Sequence, residues 1–229
     1  MTGSSDRTAK VWDATSGNEI VTFKGHSNAV TDVAFSPDDR IVASGSYDKT
    51  VKVWDATSGR QLCTFQEHNG FVGSVAFGPD GKRVASGGVW GRDNAIRLWD
   101  ATTGRNIRTF KSDTEAMVNL AFSPDGKQIV SGENAKVRVW NTENGQNIRT
   151  LKGHTYYVMS VAFSPDGNQI ASGASPVKLW NARTGEEIHT LEGTFPPLAF
   201  SPDGKRLVTR IGGKPDGTLK VWDLSPWTR

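Results

Sequence analysis

Short runs of apolar or alternating apolar and polar residues, each ended by turn-forming residues, recur along the whole chain. The best-formed example predicts strands at residues 30–35, 41–45, 50–54 and 61–65. Gly, Pro, Asp and Ser cluster between these runs, which is typical of tight turns between β-strands. Four consecutive short strands predict an antiparallel meander. Because a meander alone leaves two apolar faces exposed, it needs neighbours on which to stack.

The clearest repeated feature is an aliphatic residue followed by Trp and then Asp or Asn. It occurs six times at intervals of 40 to 45 residues, at Trp12, Trp54, Trp99, Trp140, Trp180 and Trp222. Self-similarity at this period predicts stacked supersecondary units. We therefore predict one domain spanning 1–229. It comprises a partial repeat at 1–26, full repeats at 27–68, 69–113, 114–154 and 155–193, and a three-strand last repeat at 194–223.

Composition narrows the classes of protein that the chain can belong to. With 229 residues, 25 Gly and 10 Pro, it can form one large all-β domain with many turns. The 27 basic and 24 acidic residues are interspersed, so neither nucleic acid nor a membrane surface is an expected partner. No secretory signal or long apolar run is visible, and we expect a cytoplasmic protein. The single cysteine, Cys63, lies in an apolar strand and is predicted to be a core residue.

The Trp-Asp landmarks, together with recurrent Gly-His and Ser-Pro-Asp-Gly sequences, resemble the WD40 (G-protein β-subunit-like) repeat family over nearly the whole chain. The resemblance implies an all-β fold: a β-propeller of four-stranded antiparallel blades around a channel. In the family an N-terminal strand usually completes the last blade, which here gives about five blades with residues 8–13 left over. A closed ring and an open arc both remain as alternatives. An open arc would expose apolar faces and strand edges that favour self-association.

One set of residues has the composition of a serine hydrolase triad: His26, Ser44 and Asp48. Equivalent residues recur in the next repeat, and catalytic sets are not normally repeated from blade to blade. In the family, matching residues form a buried hydrogen-bond network that ends on the repeat tryptophan and fixes the loops of the blade. The structural interpretation is therefore favoured over catalysis.

The predicted network loses members toward the C-terminus. Asp113 and Asn134 stand near the His and Asp positions of the third full repeat, and the fourth keeps His154 but has lost its Asp. In the last repeat the Gly-His landmark is replaced, and Pro196 and Pro197 enter the first strand, where proline cannot donate to a ladder. We predict that the late repeats are less stable than the early ones.

The family's meander places the loops before the first strand, and those between the second and third strands, on one face. Large aromatic residues and arginine, which often anchor interfaces, collect there. The predicted partner-binding residues are Tyr47, Phe71, Trp90, Arg92, Tyr156 and Tyr157. Trp90 has an alternative role, packing on a neighbouring blade.

These observations favour a non-catalytic interaction platform that binds protein or peptide partners through loops of one face. One alternative is a partial propeller that assembles with itself or with a larger protein. Another is an enzyme at the channel mouth, but the channel positions offer a lone carboxylate, Asp32, and no acid/base pair. No catalytic residue, metal site or cofactor is predicted, because four scattered His and one Cys form no metal-binding pattern and no phosphate-binding Gly loop is present.

Overall fold

A computed structural model describes residues 1–89, 93–113, 117–212 and 217–227. Within these residues, 22 strands form six antiparallel sheets, and one short 3-10 helix spans Ser225–Trp227. The fold is all-β, as the sequence predicts. Each sheet is a meander in which strands consecutive in sequence are neighbours in space, the arrangement of a β-propeller blade.

Residues Met1–Met117 form one compact unit with three sheets. The first sheet contains β1 (Thr2–Gly3), β2 (Thr8–Trp12) and β3 (Glu19–Lys24). The second sheet contains β4 (Val30–Phe35), β5 (Ile41–Ser46), β6 (Val51–Asp55) and β7 (Gln61–Phe65). The third sheet contains β8 (Phe71–Phe77), β9 (Arg83–Val89), β10 (Ala95–Asp100) and β11 (Asn106–Lys111).

Residues Val118–Arg229 form the other compact unit. The fourth sheet contains β12 (Met117–Phe122), β13 (Gln128–Glu133), β14 (Lys136–Asn141) and β15 (Asn147–Lys152). The fifth sheet contains β16 (Ser160–Phe163), β17 (Gln169–Gly173), β18 (Val177–Asn181) and β19 (Glu187–Leu191). The sixth sheet contains β20 (Thr194–Phe200), β21 (Arg206–Ile211) and β22 (Leu219–Asp223).

The N-terminal strands differ from the sequence-based expectation. β3 pairs with β2, and β2 pairs with the short strand β1, so these strands form a sheet of their own. The expectation that an N-terminal strand completes the last blade is therefore wrong for this structure. The reason is local packing: the Ser4 carbonyl accepts a hydrogen bond from Val30 N, and Phe23 of β3 packs on Trp54 of the second sheet.

Adjacent sheets within each unit bury apolar side chains against each other. We call the face that packs on the following sheet the trailing face. In the second sheet the trailing face includes Val51, Val53 and Phe65, which pack against Val72 and Trp99 of the third. Burying a valine of this kind stabilises the fold by roughly 1.5–3 kcal/mol. In the other unit, Val137, Val139 and Leu151 pack on the fifth sheet in the same way.

The acidic or amide residue after each repeat tryptophan organises the turn that follows. Asp55 Oδ1 accepts hydrogen bonds from the backbone N–H groups of Thr57 and Ser58, at 3.1 and 2.7 Å. Asn141 Oδ1 does the same for Glu143 and Asn144. Because both side chains offer an equivalent oxygen, Asn replaces Asp in the Trp-Asp landmark without changing the turn.

Candidate functional site

A buried hydrogen-bond chain runs through the second sheet. His26 Nδ1 lies 2.8 Å from a carboxylate oxygen of Asp48, and His26 Nε2 lies 2.8 Å from Ser44 Oγ. The Trp54 indole N–H donates to the same hydroxyl at 2.7 Å. Ser44 is fully buried, so a substrate cannot reach its hydroxyl. The predicted structural network is confirmed, and the burial of Ser44 argues against a role in hydrolysis.

The third sheet repeats this network and adds an arginine that the sequence analysis missed. His68 lies 2.6 Å from both Asp93 and Ser86, and Trp99 donates to Ser86 at 2.7 Å. The Arg97 guanidinium donates to both carboxylate oxygens of Asp93. Burial alone would raise the pKa of Asp93, but the hydrogen bonds from His68 and Arg97 outweigh it and lower that pKa to about 2.

Burial also sets the protonation state of both histidines. It lowers the pKa of His26 and of His68 more than the adjacent aspartates raise it. Near neutral pH each imidazole is therefore neutral, and its Nδ1–H donates to the carboxylate. The network joins the loop before the first strand to the second strand, the following turn and the third strand. It thus positions the loops of the face on which partner binding is predicted.

The fourth sheet uses a different carboxylate from the one predicted. Ser131 Oγ donates to Glu133 at 3.0 Å and accepts from the Trp140 indole at 2.9 Å. Glu133 is fully buried and forms an ion pair of 3.0 Å with Arg138. The prediction that Asn134 takes the acidic position is wrong, because the acid reaching the serine is its neighbour at the end of β13. The spacing between the network serine and its acid in the early repeats does not predict Glu133.

The fifth sheet keeps a shortened network, as predicted. His154 Nε2 lies 2.6 Å from Ser172 Oγ, which also accepts from the Trp180 indole at 2.7 Å. His154 Nδ1 is buried and has no hydrogen-bond partner among the described residues. Burial, with a smaller effect of Lys178, lowers the pKa of His154 to about 4.

The two three-stranded sheets keep only the tryptophan end of the network among the described residues. Trp222 donates to Thr209 Oγ1 at 2.9 Å, and Trp12 donates to Thr2 Oγ1 at 2.9 Å. Asp216 of the last repeat lies outside the described residues. A hydroxyl that accepts from the indole is therefore the part of the network common to all six sheets.

The structure places the predicted partner-binding residues in two groups. In the unit 1–117, the rings of Tyr47 and Phe71 contact each other with centroids 4.9 Å apart, and both side chains are half-buried. In the unit 118–229, Tyr156 and Tyr157 are 65% and 60% exposed. Trp90 and Arg92 lie outside the described residues.

An apolar cleft of about 490 Å³ lies at the two tyrosines. It is lined by Tyr156, Tyr157, Met159, Ala174, Ser175, Phe195, Pro196 and Arg210. The Arg210 guanidinium lies over the Phe195 ring, 5.9 Å from its centroid. Met159 is also 57% exposed, so the cleft presents aromatic and thioether surface beside one cation. This combination is suited to binding a peptide side chain.

Two local features of the backbone create this cleft. β16 begins at Ser160, so residues 156–159 lie in a loop. The buried Val158 anchors this loop, because its N–H donates a hydrogen bond to the Asn134 carbonyl. In β20 the register shifts between Phe195 and Leu198. Sequence reasoning noted the two prolines there but missed Met159 and Phe195 as lining residues. The proline pair was the available signal, because it predicts an irregular strand.

Asp32, the carboxylate predicted at a channel position, is hydrogen-bonded within the fold. It accepts hydrogen bonds from Ser74 Oγ at 3.0 Å and from Val75 N at 2.9 Å, and so joins the second sheet to the third. Burial raises the pKa of Asp32. Asn119 joins the fourth sheet to the fifth in the same way through Val161 N. Asp32 is therefore a structural link between sheets.

The described Cys, His, Asp and Glu side chains provide neither a reactive thiolate nor a metal-binding cluster. The Cys63 thiol donates to the Ala101 carbonyl, and burial raises its pKa to about 11, so it is not a thiolate near neutral pH. Among the residues that the structure describes, no group of three or more His, Cys, Asp or Glu side chains could hold a metal ion.

Comparison with known families agrees with the repeat architecture. The profile of the WD domain, G-beta repeat, matches five segments: 17–55, 59–100, 104–141, 145–175 and 185–223. These segments cover most of the chain, and the chain belongs to the WD40 repeat family. The matched segments contain the repeat tryptophans Trp54, Trp99, Trp140 and Trp222.

The matches to two individual relatives span 36 residues each, a little less than one repeat period. The chain is 56% identical over 36 residues to the mouse protein "Dynein assembly factor with WD repeat domains 1" (Mus musculus), and 53% identical over 36 residues to the human protein of that name. The match covers 16% of this chain and 9% of the relatives' length. Among the described residues, no helix has the length and apolar character needed to cross a membrane.

Proposed function

We propose that the chain is a non-catalytic interaction platform that binds a peptide segment of a protein partner through the cleft at Tyr156 and Tyr157. Membership of the WD40 family supports a protein-interaction scaffold in general. The name of the matched relatives, which describes an assembly factor, is in keeping with such a role. The observation that carries the proposal is the exposure of two adjacent tyrosines beside Met159 at the mouth of an apolar cleft.

The energetics of binding favour this cleft over a flat surface. Tyrosine offers large contact area with few rotatable bonds, so little conformational entropy is lost when it is covered. Each ring carries a hydroxyl that can bond to a peptide backbone, while Arg210 supplies charge at the margin. Anchors of this kind typically cost about 2 kcal/mol or more of binding free energy when truncated to alanine.

An enzymatic role is not favoured by the geometry of the described residues. In both serine–histidine–aspartate sets the buried serine hydroxyl accepts a hydrogen bond from a tryptophan indole. Asp32 accepts hydrogen bonds from two donors. These residues build and link the sheets, which leaves the exposed loops as the functional surface.

The proposal can be tested with a display library of short random peptides selected on the purified chain. We expect selected peptides to bind the Tyr156→Ala/Tyr157→Ala variant at least about thirtyfold more weakly, the equivalent of losing one strong anchor. Because both side chains are exposed, the melting temperature should change little.

The matched control is Ile107→Ala, which removes an exposed apolar side chain from β11. It should leave peptide affinity unchanged. Peptides that bind the double variant as tightly as the wild type would show that the cleft is not the binding site.

A further inference from the structure

The outer strand of the sixth sheet presents an open edge. β22 pairs with β21 on one side, and no described strand pairs with its other side. After β22 the chain turns away, since Leu224 is buried in the core of the fifth and sixth sheets and Trp227 stacks on His189 at 4.2 Å. In each four-stranded sheet the equivalent third strand is covered by a fourth.

The trailing face at this edge is also uncovered. Leu219 and Val221 are 62% and 61% exposed, whereas their equivalents in the second sheet, Val51 and Val53, are fully buried. A long edge strand with exposed apolar residues is a template for pairing with another strand.

A lysine on β22 indicates the chemistry of a strand that could pair with this edge. In the complete fifth sheet, Lys178 Nζ on the third strand bonds to Glu187 at 2.7 Å and to Thr190 at 2.8 Å on the fourth. Lys52 contacts Gln61 and Thr64 in the second sheet in the same way, and Lys10 pairs with Glu19 in the first.

The equivalent lysine of β22 is Lys220. It is exposed, forms no ion pair with any described residue, and lies 3.5 Å from the centroid of the Trp222 ring. The register of the complete sheets places Phe or Leu opposite the residue before the lysine or arginine of the third strand. It places Thr opposite that basic residue, and Gln, Asn or Glu opposite the tryptophan.

We propose that the free edge of β22 binds an extended segment of a partner protein with the pattern Glu-Ile-x-Thr-Phe, which adds antiparallel as the fourth strand of the sixth sheet. The acid of the segment pairs with Lys220, and its aromatic residue covers Leu219. Main-chain hydrogen bonds supply affinity and the two side-chain contacts supply specificity, as in other cases of strand addition. β22 contributes no residue to the lining of the peptide cleft, so either proposal can fail alone.

A second copy of this chain is not the favoured source of the segment. Its strand β3, which has this pattern, and β19, which has Leu in place of Phe, are already paired with β2 and β18. Donating one would require breaking an existing ladder, whereas a partner segment that is unpaired beforehand loses no such ladder.

The experiment uses a fluorescent synthetic peptide with the sequence of residues 17–26, Gly-Asn-Glu-Ile-Val-Thr-Phe-Lys-Gly-His, titrated with the full chain and read by fluorescence polarisation. We expect saturable binding that is lost when the peptide carries Val21→Pro, since proline removes a backbone donor and disrupts strand pairing. Lys220→Glu should weaken binding about twofold to fivefold, the range for an exposed cross-strand pair.

A charge exchange makes the test specific to this edge. A peptide with Glu19→Lys should bind wild type weakly and recover affinity on Lys220→Glu. The control Lys152→Glu reverses the charge of an exposed residue on β15 and should leave peptide binding unchanged. The proposal is overturned by an absence of saturable binding, by equal binding of the proline peptide, or by a charge exchange without recovery. Concentration-dependent dimers of the chain alone, dissociated by the peptide, would overturn the assignment to a partner and assign the edge to a second copy.

Discussion

The third and fifth sheets use the same four-stranded meander but differ in how completely their buried polar network is satisfied. In the third, His68 is bonded at both ring nitrogens, and Asp93 is further bonded by Arg97. In the fifth, His154 is bonded only at Nε2. The contact between the tryptophan indole and a serine or threonine hydroxyl is present in all six sheets, whereas the acid adds local stability that a sheet can lose and still fold.

The largest expected effect comes from removing the acid of the complete network. Asp93→Ala leaves the Arg97 guanidinium buried without its counter-charge, which costs about 3–5 kcal/mol of unfolding free energy. Urea denaturation measures this loss. The matched control is Asp48→Ala, where no arginine is left behind, and we expect a loss of about 1–3 kcal/mol. Equal losses in both variants would contradict the role assigned to Arg97.

The next effect is a dependence of stability on pH that arises in the fifth sheet. The pKa of His154 is lowered to about 4 in the folded chain, against about 6.5 unfolded, so the unfolded state binds more protons between these values. Stability should therefore be fully present above about pH 6.5 and fall as the pH drops toward 4, by at most about 3 kcal/mol.

Urea denaturation at several pH values from neutral to mildly acidic measures this effect. His154→Gln removes the titrating group and should flatten this part of the profile. An unchanged slope in the variant would assign the acid sensitivity to other groups.

Replacing an early repeat tryptophan should cost more unfolding free energy than replacing a late one, by a smaller margin than the effects above. Trp54 is buried and its indole donates to a serine shared with histidine, so Trp54→Phe should cost about 2–3 kcal/mol. Trp222 is only half-buried and donates to Thr209 alone, so Trp222→Phe should cost about 1 kcal/mol. Thermal denaturation of the two variants ranks them, and the reverse order would refute the comparison.

The smallest effect is a gradient in local stability along the chain. Amides in residues 155–222 should exchange with solvent faster than those in residues 27–99, because their networks are less complete and β22 lies at an open edge. Hydrogen exchange measured by mass spectrometry reports this directly. Better protection of residues 155–222 would be incompatible with the gradient.

Much of the fold could be predicted because its signals are local and repeated. The strands β4 and β7 have the predicted bounds, and the buried network of His26, Ser44 and Asp48 was anticipated from the resemblance. The cleft was only partly predicted. Tyr156 and Tyr157 were identified as interface residues, but Met159 and Phe195 come together only through a short β16 and an irregular β20.

The sequence alone determined the all-β class, the repeat period and the tryptophan that anchors each sheet, since these depend on short-range alternation and turn chemistry repeated six times. The tertiary structure was needed to show that Glu133 completes the fourth network and that Arg97 joins the third. It also decided where β3 pairs and which edge stays open. Glu133 lies two residues from Ser131, and Arg97 lies four residues from Asp93, so side-chain reach and burial select among near neighbours that a linear pattern leaves equivalent.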